Sequence, residues 1–216
     1  MIDPRMFTVG PVQENCFIVR EKGATSAVII DPGDEPEKLL GAIDQLGITA
    51  VEAILVTHTH FDHIGAVAPV AAQTGAPVWC PEIEKPVLAN IMDFVPWPGF
   101  GPFESYEADH TVTGGETLTL ANMTIDVIFT PGHSPGHVTY AVRDAAALFS
   151  GDVLFMGSVG RVDLPGGDWP TLLKSIETLV DSYPEDTTVY PGHGPITTLG
   201  HERATNPFLR ELASQG

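Results

Sequence analysis

Four short apolar runs in this chain each stop at a turn that carries histidine or aspartate. They are "ILVTHTHFDHIGA" (54–66), "IDVIFTPGH" (125–133), "AALFSGD" (146–152) and "TTVYPGHG" (187–194). Apolar runs this short, rich in Val and Ile and closed by turn residues, read as strands, because a helix needs ten or more residues to bury a face. Polar groups that follow a strand sit at the rim of a sheet, which is where an α/β sheet collects its functional residues. Four such junctions restrict the chain to a fold whose strand ends converge on one site.

The first eighty residues keep the same rhythm. "NCFIV" (15–19), "SAVIID" (26–31), "VEAILVT" (51–57) and "PVWC" (77–80) are expected strands. Between them, "DPGDEPEKLLGAIDQLG" (31–47) predicts a turn and then a helix. Pro36 suits the first helical turn, Leu39, Leu40, Ile43 and Leu46 share a face, and Gly47 stops it. "HIGAVAPVAAQTG" (63–75) predicts a second helix. Alternating strand and helix implies an α/β architecture.

Residues 81–110 break the alternation. After a short helical start, the Pro, Gly and aromatic residues there form either a pocket wall carrying Phe94, Trp97, Phe100 and Phe103 or an excursion that packs its own aromatics. Strands then dominate (116–121, 123–130, 137–142, 146–152). The amphipathic helix "DWPTLLKSIETLVDSY" (168–183), a last strand at 187–194 and a C-terminal helical segment follow. With no linker or low-complexity run in 216 residues, one domain spanning 1–216 is expected.

Composition removes several classes of function. A net charge of −18, with only ten Lys and Arg, argues against nucleic acid or an anionic membrane as a partner. The chain has no apolar run long enough to span a bilayer and no basic-then-apolar leader at its start. Its two cysteines, Cys16 and Cys80, are too few and too far apart for a disulfide framework, so buried thiols in a reducing cytosol are expected. There is no Gly-x-Ser-x-Gly elbow and no cysteine with an evident activating partner, which disfavours a covalent nucleophile.

Metal chemistry accounts for the turns. In "THTHFDH" (57–63), alternate side chains of an extended loop point the same way, so His58 and His60 can reach one ion. Asp62 and His63 fall where the helix begins and point elsewhere, toward a second ion. His133, Asp152 and His193 stand on the other three turns. Five His and two Asp make a donor set large enough for two ions sharing a carboxylate, and imidazole with carboxylate suits Zn, Fe or Mn. His110 and His201, in polar surroundings, read as surface residues, and His137 as a brace for the ligand loop.

These residues resemble the metallo-β-lactamase superfamily and, within it, the glyoxalase II-like hydrolases. The resemblance rests on "IIDPG" (29–33), "THTHFDHIGA" (57–66), "TPGHSPGH" (130–137), "SGDVLF" (150–155) and "VYPGHG" (189–194). "GSVGRVDLPGGD" (157–168) and "TLGHERATNPF" (198–208) are similar to the short, single-domain YcbL-type members. The resemblance implies a four-layer αββα sandwich with the metals at one edge between two sheets. It implies a first ion on His58, His60 and His133, a second on Asp62, His63 and His193, and Asp152 bridging, with Asp62 and Asp152 the catalytic acids of the set. Asp31 matches an aspartate that steadies the ligand loop. The activity implied is cleavage of a thioester such as S-D-lactoylglutathione by a metal-activated hydroxide.

Arg161 matches the residue with which such enzymes anchor a glutathione carboxylate. The helical region that completes their glutathione site is expected to be missing, and Asp163 stands where a Tyr is common, so Arg161 is expected either to anchor substrate or to pair with Asp163. Persulfide dioxygenases of the same superfamily are also similar; that alternative would place a single iron on His58, His133 and Asp152. Lactone hydrolysis fits the same donors. An aspartate at 152, where a β-lactamase usually has Cys, disfavours antibiotic hydrolysis. A non-catalytic relative would be expected to lack a ligand, and none is missing.

Overall fold

The computed structural model describes residues 1–209 apart from Pro96. Two six-stranded sheets form its centre. The first contains β1 (Ile2–Val9), β2 (Glu14–Glu21), β3 (Ser26–Ile30), β4 (Ala50–Leu55), β5 (Val78–Pro81) and β6 (His110–Val112), in that order. Pairs β1/β2 and β2/β3 are antiparallel, and β3 to β6 run parallel. The parallel steps are bridged by α1 (Pro36–Gln45), by α2 (Phe61–Ile64) with α3 (Val67–Thr74), and by α4 (Lys85–Leu88).

The second sheet begins with β7 (Thr117–Leu120), β8 (Met123–Phe129), β9 (Val138–Val142) and β10 (Ala147–Gly151). A small ribbon, β11 (Leu154–Phe155) with β12 (Ser158–Val159), follows, then α5 (Trp169–Ser182), β13 (Thr188–Pro191), β14 (Thr197–Thr198) and α6 (Leu199–Thr205). The order in space is β14-β13-β10-β9-β8-β7.

The period of two along each strand builds the layers. Val28, Ile30, Ala53 and Leu55 face Ile125, Val127, Tyr140 and Phe149 of the other sheet, forming a core between the sheets. Phe17 meets Phe149 edge-on at 5.3 Å, and the Tyr140 hydroxyl donates to Val56 O at 2.9 Å, so the two sheets are tied at their buried faces. The alternate residues Ile29, Ile54 and Val56 pack outward on Leu39 and Ile43 of α1 and Val67 and Val70 of α3. On the far side Leu148 and Val189 pack on Leu172, Ile176 and Leu179 of α5 and Leu199 of α6. The result is the four-layer αββα sandwich expected from the sequence.

Two local differences have physical reasons. The helix expected over 63–75 is broken, because the Ala66 N–H bonds Pro32 O at 3.0 Å instead of continuing α2, and α3 restarts behind it. β1 was absent from the expected elements. It is a half-exposed edge strand carrying Asp3, Pro4 and Arg5, and Pro is tolerated at such an edge. The helix over 168–183 is present as α5, with the Asp168 carboxylate accepting from Thr171 N at 3.0 Å as an N-cap.

Strand direction brings the turns together. β8 and β10 both run antiparallel to β9, and β13 runs parallel to β10, so all three end on one edge of the second sheet. The loop after β4 reaches that edge, where Val138 N donates to Thr57 O at 2.9 Å. The start of β2 closes the other side, with Asn15 N donating to Gly192 O at 2.7 Å and Asn15 Nδ2 to Pro191 O at 3.1 Å.

Candidate metal centre

All seven residues expected to ligate lie in one cluster at this edge. His58 and His60 come from the loop after β4, Asp62 and His63 from α2, and His133, Asp152 and His193 from the turns after β8, β10 and β13. They form two triads, His58/His60/His133 and Asp62/His63/His193.

Hydrogen bonds fix which ring nitrogens carry protons. The Thr57 hydroxyl donates to Asp31 Oδ2 at 2.6 Å, so at 3.1 Å it can only accept from His58 Nδ1, which leaves the His58 Nε2 lone pair free. His133 Nδ1 donates to the Arg161 carbonyl at 2.8 Å, leaving its Nε2 free as well. These two lone pairs face each other at 3.2 Å, with His60 Nδ1 3.1 Å from the first and 2.8 Å from the second. No arrangement of protons satisfies all three contacts, and a cation at their meeting point would. The donor set therefore fits a metal ion.

The second triad follows the same logic. His63 Nδ1 donates to Asp31 Oδ2 at 3.1 Å, and His193 Nδ1 donates to Gln13 O at 3.3 Å. Their Nε2 atoms turn inward, His63 toward Asp152 Oδ1 at 3.4 Å and His193 toward Asp62 Oδ2 at 3.2 Å. His63 Nε2 and Asp152 Oδ1 are buried without a hydrogen-bond partner, another mark of donors aimed at an ion. Asp152 spans both triads, its Oδ2 lying 3.4 Å from His133 Nε2 and 3.6 Å from His193 Nε2. Asp31, His58 and His63 also cluster. There, however, the facing nitrogens are the protonated ones and Asp31 is filled by Thr57 N at 2.7 Å, the Thr57 hydroxyl and His63, so it braces the loop.

Proton affinities divide the two triads. Burial, reinforced by the neighbouring imidazoles, pushes His58 well below its ordinary value, and burial with His133 pulls His60 down to about 4. Burial also acts to lower His63, but Asp152 and Asp62 together outweigh it and hold the ring well above the usual range. His193 is raised in the same way, against its burial, by the bond to Asp62 and the charge of Asp152. Burial would raise Asp152, yet His63 and the other rings hold it far below the usual carboxylate range.

His137 is fully buried, with Nδ1 3.0 Å from Thr130 Oγ1 and Nε2 accepting from Asp152 N at 3.1 Å, so it holds the Asp152 turn. His110 and His201 are exposed. Gly192 must be glycine, since a Cβ there would lie 2.2 Å from Asp152 Oδ1. Two acids lay outside the sequence expectation. Glu14 is buried behind His63, with Oε1 3.7 Å from Nδ1 and neither oxygen hydrogen-bonded, and its burial pushes its carboxyl well up. Glu84 is buried between two ligand loops. Neither has a motif around it, and in sequence both read as ordinary surface acids.

A cleft of about 530 Å³ opens onto the cluster, walled by Phe61, Phe94, Trp97, Phe155 and Val159. Both alternatives for 81–110 hold in part. Phe94 and Trp97 line the cleft, whereas Phe100 and Phe103 pack behind Phe61, with ring centroids 4.9 and 5.9 Å away. Arg161 is the only Lys or Arg among the described lining residues, and its Nε and Nη2 each donate to Asp163 at 2.6 Å. Cys16 and Cys80 are buried and unpaired. Among the described residues, no helix is long and apolar enough to cross a membrane.

This αββα fold with its edge cluster defines a class. The chain belongs to the metallo-β-lactamase superfamily, whose family model matches residues 9–193. Members of this superfamily bind divalent metals and act as metallo-hydrolases. Among curated relatives, the chain is 41% identical to the probable metallo-hydrolase YqgX of Bacillus subtilis, over 95% of this chain and 96% of that protein. It is 34% identical to the hydroxyacylglutathione hydrolase GloC of Haemophilus influenzae, over 91% and 93% respectively. Two solved structures are each 42% identical. The BLEG-1 B3 metallo-β-lactamase superposes with a TM-score of 0.90 over 97% of this chain and 99% of that one. TTHA1623 in a di-iron-bound form superposes at 0.76 over 95% and 100%.

Proposed function

We propose that this chain is a dinuclear metallohydrolase that cleaves a thioester of the S-D-lactoylglutathione type. The observation that carries the reading is the pair of complete donor triads joined by Asp152, with donor atoms turned inward at two points. Under the alternative of a single iron on His58, His133 and Asp152, the inward-facing Nε2 atoms of His63 and His193 would carry no ion. The likeness to GloC supports the thioester, and the likeness to a di-iron structure supports iron among the candidate metals zinc, iron and manganese.

His58, His60 and His133 would hold one ion, Asp62, His63 and His193 the other, and Asp152 both. When bound, such a pair lowers the pKa of a shared water toward neutrality and polarises the acyl oxygen. The protein's residues do the rest. Asp152 and Asp62, both ionised, set the charge of the floor. Phe61, Phe94 and Trp97 exclude water from the acyl group. Arg161, the one Lys or Arg among the described lining residues, offers a cation to a carboxylate-bearing thiol, in competition with Asp163. Buried Cys16 and Cys80 suit a reducing cytosol.

Metal content of protein purified without added metal tests this reading, alongside S-D-lactoylglutathione hydrolysis, oxygen uptake with glutathione persulfide, and hydrolysis of a chromogenic β-lactam. Two ions per chain with thioester cleavage is the expected result. One iron with persulfide-dependent oxygen uptake and no thioesterase activity would sink it, as would cleavage of the β-lactam alone.

A further inference from the structure

Glu84 ends a 3-10 turn (Glu82–Glu84) ahead of α4 and is only 4% exposed. Its carboxylate lies between the loop after β4 and the loop after β8, which come from different sheets. Oε2 accepts from Thr59 N at 2.6 Å and from the Thr59 hydroxyl at 2.9 Å. Oε1 accepts from Gly136 N at 2.8 Å and from the Ser134 hydroxyl. Thr59 stands between His58 and His60, and Ser134 directly follows His133. The approach is close: a Cβ on Gly136 would sit 2.6 Å from Glu84 Cγ.

We propose that Glu84 is a positioning residue that sets the aperture of the first triad by clamping its two loops together. The inference rests on reading His58, His60 and His133 as donors to one ion. The chemistry requires a carboxylate. Two backbone N–H groups and two hydroxyls converge on it, and two oxygens with about four lone pairs accept all four. A glutamine at this place would turn an NH2 toward one of those N–H donors, leaving that N–H without an acceptor in a buried site. An aspartate, one methylene shorter, would lose one of the two loops. Glu84 touches none of the candidate ligands, so its effect on them runs through the backbone of Thr59, Ser134 and Gly136.

Zinc titration of the metal-free protein against a chromophoric chelator tests the clamp in two backgrounds. Asp62→Ala removes a donor of the second triad and isolates the first. His60→Ala does the reverse. In the Asp62→Ala background, Glu84→Gln is expected to weaken the ion by about 10- to 100-fold, the range for partners behind a metal's ligands. In the His60→Ala background it is expected to change little, since Glu84 does not reach the second triad. Cobalt loaded into the first site is expected to show an altered visible spectrum in Glu84→Gln, and Glu84→Asp to restore neither spectrum nor affinity. Should Glu84→Gln not fold, Thr59→Ala and Ser134→Ala each remove one hydroxyl donor, and each is expected to weaken the first ion alone. Unchanged affinity at the first site, or equal weakening in both backgrounds, overturns the clamp. Absence of zinc binding in the Asp62→Ala parent overturns the three-histidine site itself, and the clamp with it.

Discussion

The two triads of the cluster use nearly the same side chains and hold their protons in opposite ways. In the first, burial and the neighbouring imidazoles drive His58 and His60 toward the neutral form, His60 down to about 4. In the second, carboxylates within 3.8 Å of His63 and His193 outweigh burial and keep both rings protonated to higher pH. A histidine's readiness to take a metal is thus set by its neighbours, because a cation must displace whatever proton occupies the ligand atom.

Asp152→Asn tests the shared element and carries the largest expected effect. It touches both triads, so zinc per chain is expected to fall and thioester hydrolysis to drop by at least about a hundredfold, since even partners one shell out cost 10- to 100-fold. Metal analysis and turnover on the same preparation check it, and loss of only one ion would break the symmetry between the triads.

Asp31→Asn comes next. It weakens the acceptor of the His63 proton and of the Thr57 loop, and the expected loss is about 10- to 100-fold in affinity at the second triad. The readout is zinc titration in the His60→Ala background.

The pH dependence of binding sharpens the contrast. Raised pKa values on His63 and His193 mean that below those values a cation must expel their protons. Affinity at the second site should therefore rise with pH, by about tenfold per pH unit for each proton displaced. In the first triad His58 and His60 are driven toward the neutral form, so neither is expected to add to the pH slope of its affinity over about pH 6 to 8. Chelator-competition titrations across that range separate the two, and parallel slopes would overturn the distinction.

Asp163→Asn is the mildest change. Arg161 and Asp163 are both more than half exposed, where solvent screens an ion pair strongly. Freeing Arg161 should lower KM for a glutathione thioester by no more than about fivefold, with kcat unchanged. An unchanged KM would detach Arg161 from the substrate.

Much of the architecture was legible in the chain. Short apolar runs ending at turn residues marked β3, β4, β8, β10 and β13, and Pro36 and Asp168 marked two helix starts. β1 was not legible, since a half-exposed edge strand carrying charges and Pro4 has no clear period. Nor was the break before α3, which depends on a carbonyl more than thirty residues earlier, at Pro32. Glu14 and Glu84 were invisible for a related reason: nothing in a sequence distinguishes a solvated acid from a buried one.

The sequence by itself determined the donor chemistry of the site. Imidazole and carboxylate on four strand-end turns are a property of residue type, readable one position at a time. Only the tertiary structure decided which nitrogen of each ring faces inward, that Asp152 is shared, and that the two triads differ in proton affinity. Those depend on direction and burial, and so on contacts such as His58 with His133, 75 residues apart, that form only when both sheets are in place.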